Sequence, residues 1–364
     1  MARGFNVASD VFQRTIDGFD LGGIWNDFQD ALQVYNQGKA PILALLTHST
    51  TATGDPLALD GGRLDFEEAS EFGVPKSGRV EPDYYVAGYD LKWFDLAQRY
   101  TAAFLRDATA EQVRTQHIAA MEGSDRLQWT MAINRLMTPA LEGSRPVNPE
   151  GQSIYSLYAG STDDAPPEFK GRTFATGHNH YLVSGAATVD GQDLEDAIEH
   201  VAHHGYGVGP GERIILLVHP NEGAVIRGFR AGVNGSPFDF IPSAGGVPYI
   251  TTERIVGAVP AGEFNGLPVI GSFGKALVVE TYDAFAGYVV AIAHGGNNST
   301  RNALSVRSHT RPELKGLRMI PGTDDKYPLS GSTYGIGVGF GVRNRGAAAV
   351  VQITASGSYS APTI

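Results

Sequence analysis

Residues 61–137 constrain this chain most, because they join a long polar excursion directly to a helix of roughly thirty residues. On the way out, Arg63-Leu64-Asp65-Phe66-Glu67 alternates polar and apolar side chains, as a strand with one covered face does. Gly73-Val74-Pro75-Lys76-Ser77-Gly78 has turn chemistry, and Tyr89-Asp90-Leu91-Lys92-Trp93 alternates again on the return. An isolated two-stranded ribbon buries too little apolar area to be stable in water. A ribbon of this length needs a surface to lie on, either its own domain or a second copy of the chain. The feature points to assembly before catalysis.

The helix that follows has a clear beginning. Thr109-Ala110-Glu111-Gln112 is a capping box, in which the threonine hydroxyl and the Gln112 amide each satisfy one backbone N–H. Val113, His117, Ala120, Met121, Leu127, Met131 and Leu136 then hold helical spacing until Pro139 ends it. Such a helix is on the order of 40 Å long. Its apolar stripe is narrow, and Arg114, Glu122, Asp125, Arg126 and Arg135 occupy the other faces, which suits a helix lying across a flat domain. Upstream, residues 1–60 read as an arm with one short helix whose face is Ile24, Trp25, Phe28, Leu32 and Tyr35, stopped by Gly38 and Pro41. Residues 47–54 read as loop, and residues 100–106 as a short amphipathic segment.

Residues 138–190 are irregular, with short strand candidates at 153–158 and 181–184. A second helix is expected over 192–204, capped by Asp190 or Asp193 and closed by Gly205. It leads into a buried strand, Arg213-Ile214-Ile215-Leu216-Leu217-Val218-His219-Pro220, and further strands are expected at 277–280, 288–292, 335–342 and 346–354. Helices and strands mix without a regular βα repeat, so the fold class is α+β.

Several function classes drop out. The 364 residues include no cysteine, which removes thiolate nucleophiles, disulfides and cysteine-based metal centres. A formal net charge of −11 argues against a dedicated nucleic-acid binder, although a container need not grip what it holds. The longest apolar runs, such as Ala347-Ala348-Ala349-Val350-Val351, are far short of the ~20 residues that span a membrane. No signal-peptide pattern opens the sequence. With no secretory route, the glycosylation-like Asn298-Ser299-Thr300 reads as a polar loop.

Candidate chemistry is sparse. His178, His180, His200, His203, His204 and His219 lie near one another in sequence, and His200 and His204 are one helical turn apart. HExxH is absent, and histidines at a helix end interact favourably with its dipole, so they read as structural and no metal ligand is assigned. Gly335, Gly337, Gly339 and Gly341 alternate with Ile336, Val338 and Phe340, which is strand spacing and not a phosphate loop opening a helix. No Gly-x-Ser-x-Gly elbow occurs, and nothing pairs the carboxylates Glu67, Glu68, Glu71 and Asp83 into a site. No catalytic or cofactor-binding residue is assigned, and no cofactor is expected.

The order of elements resembles the major capsid proteins of tailed bacteriophages, with the Hong Kong 97-like fold. The most specific stretch runs from Asp193-Leu194-Glu195-Asp196-Ala197-Ile198 through Gly205-Tyr206 to the strand ending His219-Pro220. Gly266-Leu267-Pro268-Val269 and the closing Gly341-Val342-Arg343-Asn344-Arg345-Gly346-Ala347-Ala348-Ala349-Val350 also resemble the family. The resemblance implies an N-terminal arm over 1–60 and an extended loop over 61–103 that lies on a neighbouring subunit. It further implies a peripheral domain over 104–189 and 326–364, with its spine helix at about 109–137, and an axial domain over 190–325. Inter-subunit contacts would come from Phe66, Glu68, Lys76, Arg79, Tyr89 and Trp93 of the loop and from Trp25 and Phe28 of the arm. The implied partners are further copies in hexamers and pentamers, a separately encoded scaffolding protein, a portal protein and, in some heads, a decoration protein. The icosahedral head would enclose double-stranded DNA without reading its sequence, assemble in the host cytoplasm and become part of the virion.

Some members of this family join subunits by an isopeptide bond between a loop lysine and an asparagine, assisted by a glutamate. Lys76 sits at a suitable loop tip. However, residues 328–334 contain no asparagine and residues 335–342 no glutamate, so no covalent crosslinking is expected. About sixty residues precede the loop, too few for a fused scaffolding domain. The alternatives are an encapsulin-type compartment shell with the same fold, and a histidine-based metalloenzyme of a different class.

Overall fold

The computed structural model describes residues 14–58, 84–98, 100–160, 165–233, 235–244, 259–323 and 331–363, with positions 66, 68, 73, 74 and 329. Helices α1 (Leu21–Gln37) and α2 (Pro41–Leu46) lead into strand β1 (Thr47–Thr50). Strands β2 (Gly54–Ala58) and β3 (Tyr84–Gly88) form an antiparallel ribbon, followed by β4 (Lys92–Ala97). Next come helices α3 (Ala102–Asp107) and α4 (Ala110–Met137), then β5 (Tyr181–Val183), α5 (Gly191–Ala202), β6 (Arg213–Val218) and α6 (Pro220–Ile226). Strands β7 (Phe240–Pro242), β8 (Glu263–Phe264), β9 (Leu267–Phe273), β10 (Ala276–Glu280) and β11 (Tyr288–His294) follow. The last are β12 (Leu304–Ser308), β13 (Leu317–Ile320), β14 (Thr333–Val342) and β15 (Ala348–Gln352).

Helix α4 is pinned at both ends. Thr109 and Gln112 form the expected capping box, and the Asp17 carboxylate accepts the Ala110 N–H at 3.1 Å, placing negative charge on the helix N-terminus. At the other end, the Tyr181 hydroxyl donates to the Leu136 carbonyl at 3.1 Å and Tyr359 donates to that of Met137 at 2.7 Å. These bonds occupy carbonyls that the helix itself leaves unpaired. Val113, His117, Ala120 and Ser124 are buried at three- and four-residue steps, then Ala132, Ile133 and Leu136. Helix α5 is capped reciprocally by Asp190 and Asp193, and buries Leu194, Ala197, Ile198 and Val201 against the larger sheet.

Two mixed sheets carry the core. The larger has eight strands in the order β5-β15-β11-β6-β10-β9-β7, with β8 paired to β9. Its central strand β6 is buried from Ile214 to Val218, as a strand covered on both faces must be. The smaller sheet holds β1, β12, β14, β13 and β4. Ile336 of β14 pairs with both Leu317 and Phe94, so β13 and β4 flank that strand.

The glycine alternation finds its reason here. Tyr334, Ile336, Val338, Phe340 and Val342 point into the core, and Gly335, Gly337, Gly339 and Gly341 make the opposite face. The chain returning from the ribbon crosses that face. A Cβ on Gly339 would stand 1.8 Å from the Asp90 carbonyl oxygen, and one on Gly341 would stand 2.5 Å from the Tyr89 ring. The Trp93 ring lies over Gly337 in the same way. Glycine is required because backbone passes over backbone.

Several sequence expectations need correction. The arm carries two helices, since Pro41 opens α2 at its first turn. Residues 47–54 are not all loop. Polar Thr47-His48-Ser49-Thr50 shows no alternation, yet pairs in parallel with Leu304–Ser308 through backbone bonds that side chains do not announce. The ribbon begins at residue 54 and its inner strand ends at Gly88, so Lys92–Ala97 belongs to the smaller sheet and not to the excursion. Of the strand expected at 63–67, only Phe66 is described, and it is not in a strand; the other positions lie outside the described residues. Residues 153–158 form no regular strand; Val147 and Ser153 make an isolated pairing, and single hydrogen bonds from Gly88 to Ser153, from His180 to Tyr158 and from Arg345 to Ser156 hold the rest. Sheet membership also divides the chain differently from a single 190–325 unit. Strands β12 and β13 sit with β14, and β15 sits with β11.

The same substitution should have opposite signs at two glycines. Gly123 lies mid-helix, and only Arg126 comes within 4 Å of the place an added methyl group would take, so Gly123→Ala should stabilise by about 1 kcal/mol. Gly339→Ala should destabilise by about 3 kcal/mol or prevent folding, because a methyl group and a carbonyl cannot share that space. Urea denaturation of the two soluble variants checks both signs.

His117 provides a pH test. It stacks on Phe28 at 4.0 Å, and its Nδ1 lies 2.6 Å from the Tyr334 hydroxyl. Burial lowers its pKa to about 4. Between about 4 and the unfolded value near 6.5, the unfolded chain holds a proton that the folded chain does not. The contribution to stability is therefore full above about 6.5 and is lost as pH falls toward about 4. Unfolding curves between those pH values should show a smaller pH dependence for His117→Phe than for the unaltered chain.

Candidate assembly surfaces

The root of the ribbon is fixed by backbone groups that its own two strands leave over. Gly88 N–H donates to Ser153 O at 2.8 Å and Tyr89 N–H to Thr53 O at 2.8 Å. The Asn148 amide donates to Thr53 O at 3.0 Å and Tyr89 O at 3.2 Å. Arg307 donates to Tyr89 O at 2.9 Å and to Glu150 at 2.7 Å, and its guanidinium holds the Glu150 carboxyl below the usual range. Asp55 accepts from the Tyr89 hydroxyl at 2.9 Å and pairs with Arg343. Most of these buried polar groups are thus matched where the ribbon leaves the body, Arg307 Nε being an exception.

Beyond the root, several large apolar side chains are only partly covered by the described residues. Tyr84 on β3 is 62% exposed, and Trp93 and Leu96 on β4 are 46% and 49% exposed. Phe66 and Val74 are also exposed, as is Glu68. Trp93 keeps one face on Gly337, with Arg318 5.5 Å from its ring centroid and His309 at 5.8 Å. Large exposed apolar side chains on neighbouring strands mark an interaction surface more often than chance exposure does.

The loop and arm residues named from sequence separate into three groups. Phe66, Glu68 and Trp93 present exposed side chains, whereas Lys76 and Arg79 lie outside the described residues. Tyr89 is a correction. It is fully buried in its own chain, between Asp55 and the glycine face of β14, and offers nothing to a neighbour. Phe28 is another, because the apolar face of α1 closes onto α4 and not onto a second copy. Trp25 is half-buried against the same core. Asp27–Arg114 at 3.0 Å and Tyr35–Asp125 at 2.6 Å lock α1 to α4 as well.

The histidines arrange themselves differently from the helical pair read from sequence. His178 and His180 approach from the segment before β5, and His203 and His204 from the end of α5. The four ligand nitrogens lie within 4.8 Å of one another. His200 instead turns Nδ1 toward Asp196 O at 2.7 Å, and His219 caps α6. Burial lowers the pKa values of His178 to about 4, His203 to about 3 and His204 to about 2, with further lowering from the neighbouring rings. His180 is lowered for the same reasons. The four rings are therefore neutral near pH 7. The signal in the sequence was the His-x-His and His-His spacing, since alternate extended residues face one way.

A structure from Mycobacterium phage Patience is similar over the full length, with 34% identity and a TM-score of 0.70 across 100% of this chain and 96% of that one. The capsid of a native GTA particle matches at 13% identity and a TM-score of 0.48, over 86% of this chain and 90% of that one. A structure from Gordonia phage Cozz matches at 14% and 0.44, over 88% and 89%. No family model and no curated protein matches the chain.

Proposed function

The chain belongs to the major capsid proteins of tailed phages, with the Hong Kong 97-like fold, and we propose that it builds a shell by laying its ribbon across neighbouring copies. The exposed apolar side chains carry this reading: Tyr84 on β3, Trp93 and Leu96 on β4, and Phe66 and Val74 have little cover among the described residues, whereas Arg307 and Asn148 hold the root of the ribbon by hydrogen bonds. A rigid root with a bare outer surface suits an element whose cover comes from another subunit. Each such side chain is worth roughly 1.5–3 kcal/mol when fully covered, so many weak contacts accumulate around a closed shell.

On this reading the copies gather as hexamers and pentamers into an icosahedral head that encloses double-stranded DNA. The unit around α5 and strands β6–β11 lies toward the capsomer centres, and α4 spans the outer part of each subunit. The net charge of −11 supports enclosure without sequence-specific grip. A scaffolding protein, a portal protein and, in some heads, a decoration protein are the partners such a shell would use. Assembly would take place in the bacterial cytoplasm, and the chain would catalyse no reaction.

Electron microscopy of the chain expressed with its scaffolding protein should show uniform shells with fivefold and sixfold units; a persistent monomer under those conditions would sink the proposal. Phe66→Ser combined with Val74→Ser should reduce shell yield several-fold while circular dichroism of the soluble chain stays unchanged. Denaturing electrophoresis of mature particles should give one band at the monomer position. A ladder of multimers would show that Lys76 or another lysine is covalently joined.

A further inference from the structure

Two separate stretches of chain turn the same imidazole nitrogen toward one point. Nε2 of His204 lies 3.0 Å from Nε2 of His178, 3.0 Å from that of His180 and 3.1 Å from that of His203. His203 and His178 are themselves 3.1 Å apart at the same atoms. A neutral imidazole nitrogen has one in-plane site, an N–H or a lone pair, and completes one hydrogen bond with it. The His204 nitrogen has three such neighbours, so hydrogen bonds among the rings cannot account for the packing. A cation at the centre would accept all four lone pairs at once. Tetrahedral zinc, with bonds of about 2.0–2.1 Å to nitrogen, sets nitrogen–nitrogen edges of about 3.3 Å. The observed separations are a few tenths of an ångström shorter.

The surroundings fit a ligand set. His180 Nδ1 lies 2.6 Å from the Ala348 carbonyl, and donating its N–H there leaves Nε2 with a free lone pair. Zinc-bound histidines are commonly oriented by such a bond to a backbone carbonyl. Gly346 leaves space for the His204 ring, since a Cβ there would stand 2.9 Å from it. Phe174 and Tyr158 wall the cluster, with ring centroids 4.3 and 5.7 Å from that of His204. The nearby charge of Arg172 is offset by Glu199 at 3.1 Å. His180 and His203 are buried, whereas His178 and His204 are half-exposed and give an ion a way in.

We propose that His178, His180, His203 and His204 form a tetrahedral structural site for a divalent transition metal, zinc foremost. Four protein ligands fill the coordination sphere and leave no position for water or substrate, so the site is a staple and not a catalytic centre. Imidazole ligands suit zinc, nickel and copper, and a closed tetrahedral shell without redox demand favours zinc. The ion joins the segment before β5 to the end of α5, and through Ala348 to the start of β15. It also stands beside the ribbon root. Tyr158 stacks on Arg345, which lies over Tyr155, and Tyr155 meets Tyr85 of β3 at 4.6 Å.

The test uses the full-length chain purified without a polyhistidine tag or chelator. Elemental analysis should find about one zinc per chain, and cobalt(II) chloride added to metal-depleted protein should give the intense visible bands of tetrahedral cobalt. His178→Gln and His204→Gln should each lose the bands and most of the metal, whereas His200→Ala should keep both. Chelation should lower the melting temperature of the unaltered chain and leave that of His178→Gln unmoved. Absence of stoichiometric metal together with absence of tetrahedral cobalt bands in the unaltered, folded chain would overturn the site. Undiminished metal in His178→Gln and His204→Gln would also overturn it, by placing the ion elsewhere.

Discussion

One backbone crossing another at Gly339 sets the relation between the projecting ribbon and the body of the subunit. The Asp90 carbonyl occupies the space where any other residue would carry its side chain. Because the crossing leaves no gap, the returning limb enters the smaller sheet at one register, with Lys92 opposite Val338 and Ala97 opposite Thr333. The other face of the same strand receives α4, through Tyr334 and His117. A ten-residue strand thus positions the spine on one side and the ribbon on the other.

Elements whose information is local were legible in the residues. The Thr109–Gln112 box, the Asp190 cap and the continuous apolar run of β6 each state their structure within a few positions. Pairings made by backbone alone were not. Nothing about Thr47-His48-Ser49-Thr50 marks it as a partner for residues 304–308, because a parallel ladder at a sheet edge uses only N–H and C=O groups. Tyr89 and Phe28 were misplaced for a related reason. An aromatic residue on an apolar stripe needs cover, and the sequence does not say whether the same chain or another copy provides it. The histidines were visible as a group, but their convergence depends on a segment and a helix end more than twenty residues apart.

The polar matching at the ribbon root and the bare apolar side chains beyond it divide the work between folding and association. Arg307, Asn148 and Arg343 act within one copy, where their partners are always present. Trp93, Leu96 and Tyr84 are exposed in the single chain, and under the proposed function their burial would depend on a second copy, hence on concentration and symmetry. Individually modest contacts of this kind can form and break until a closed arrangement makes them cooperative.

The two-sided duty of β14 has a consequence for how chains of this kind can diverge. Side chains alternate with a period of two, so deleting one residue from the strand would turn Ile336, Val338 and Phe340 outward and bring the glycines into the core. No nearby substitution repairs that, because both faces fail together. A length change outside the strand does not carry this double penalty. The strand is a fixed ruler against which such lineages can be aligned even after most side-chain identities have been replaced.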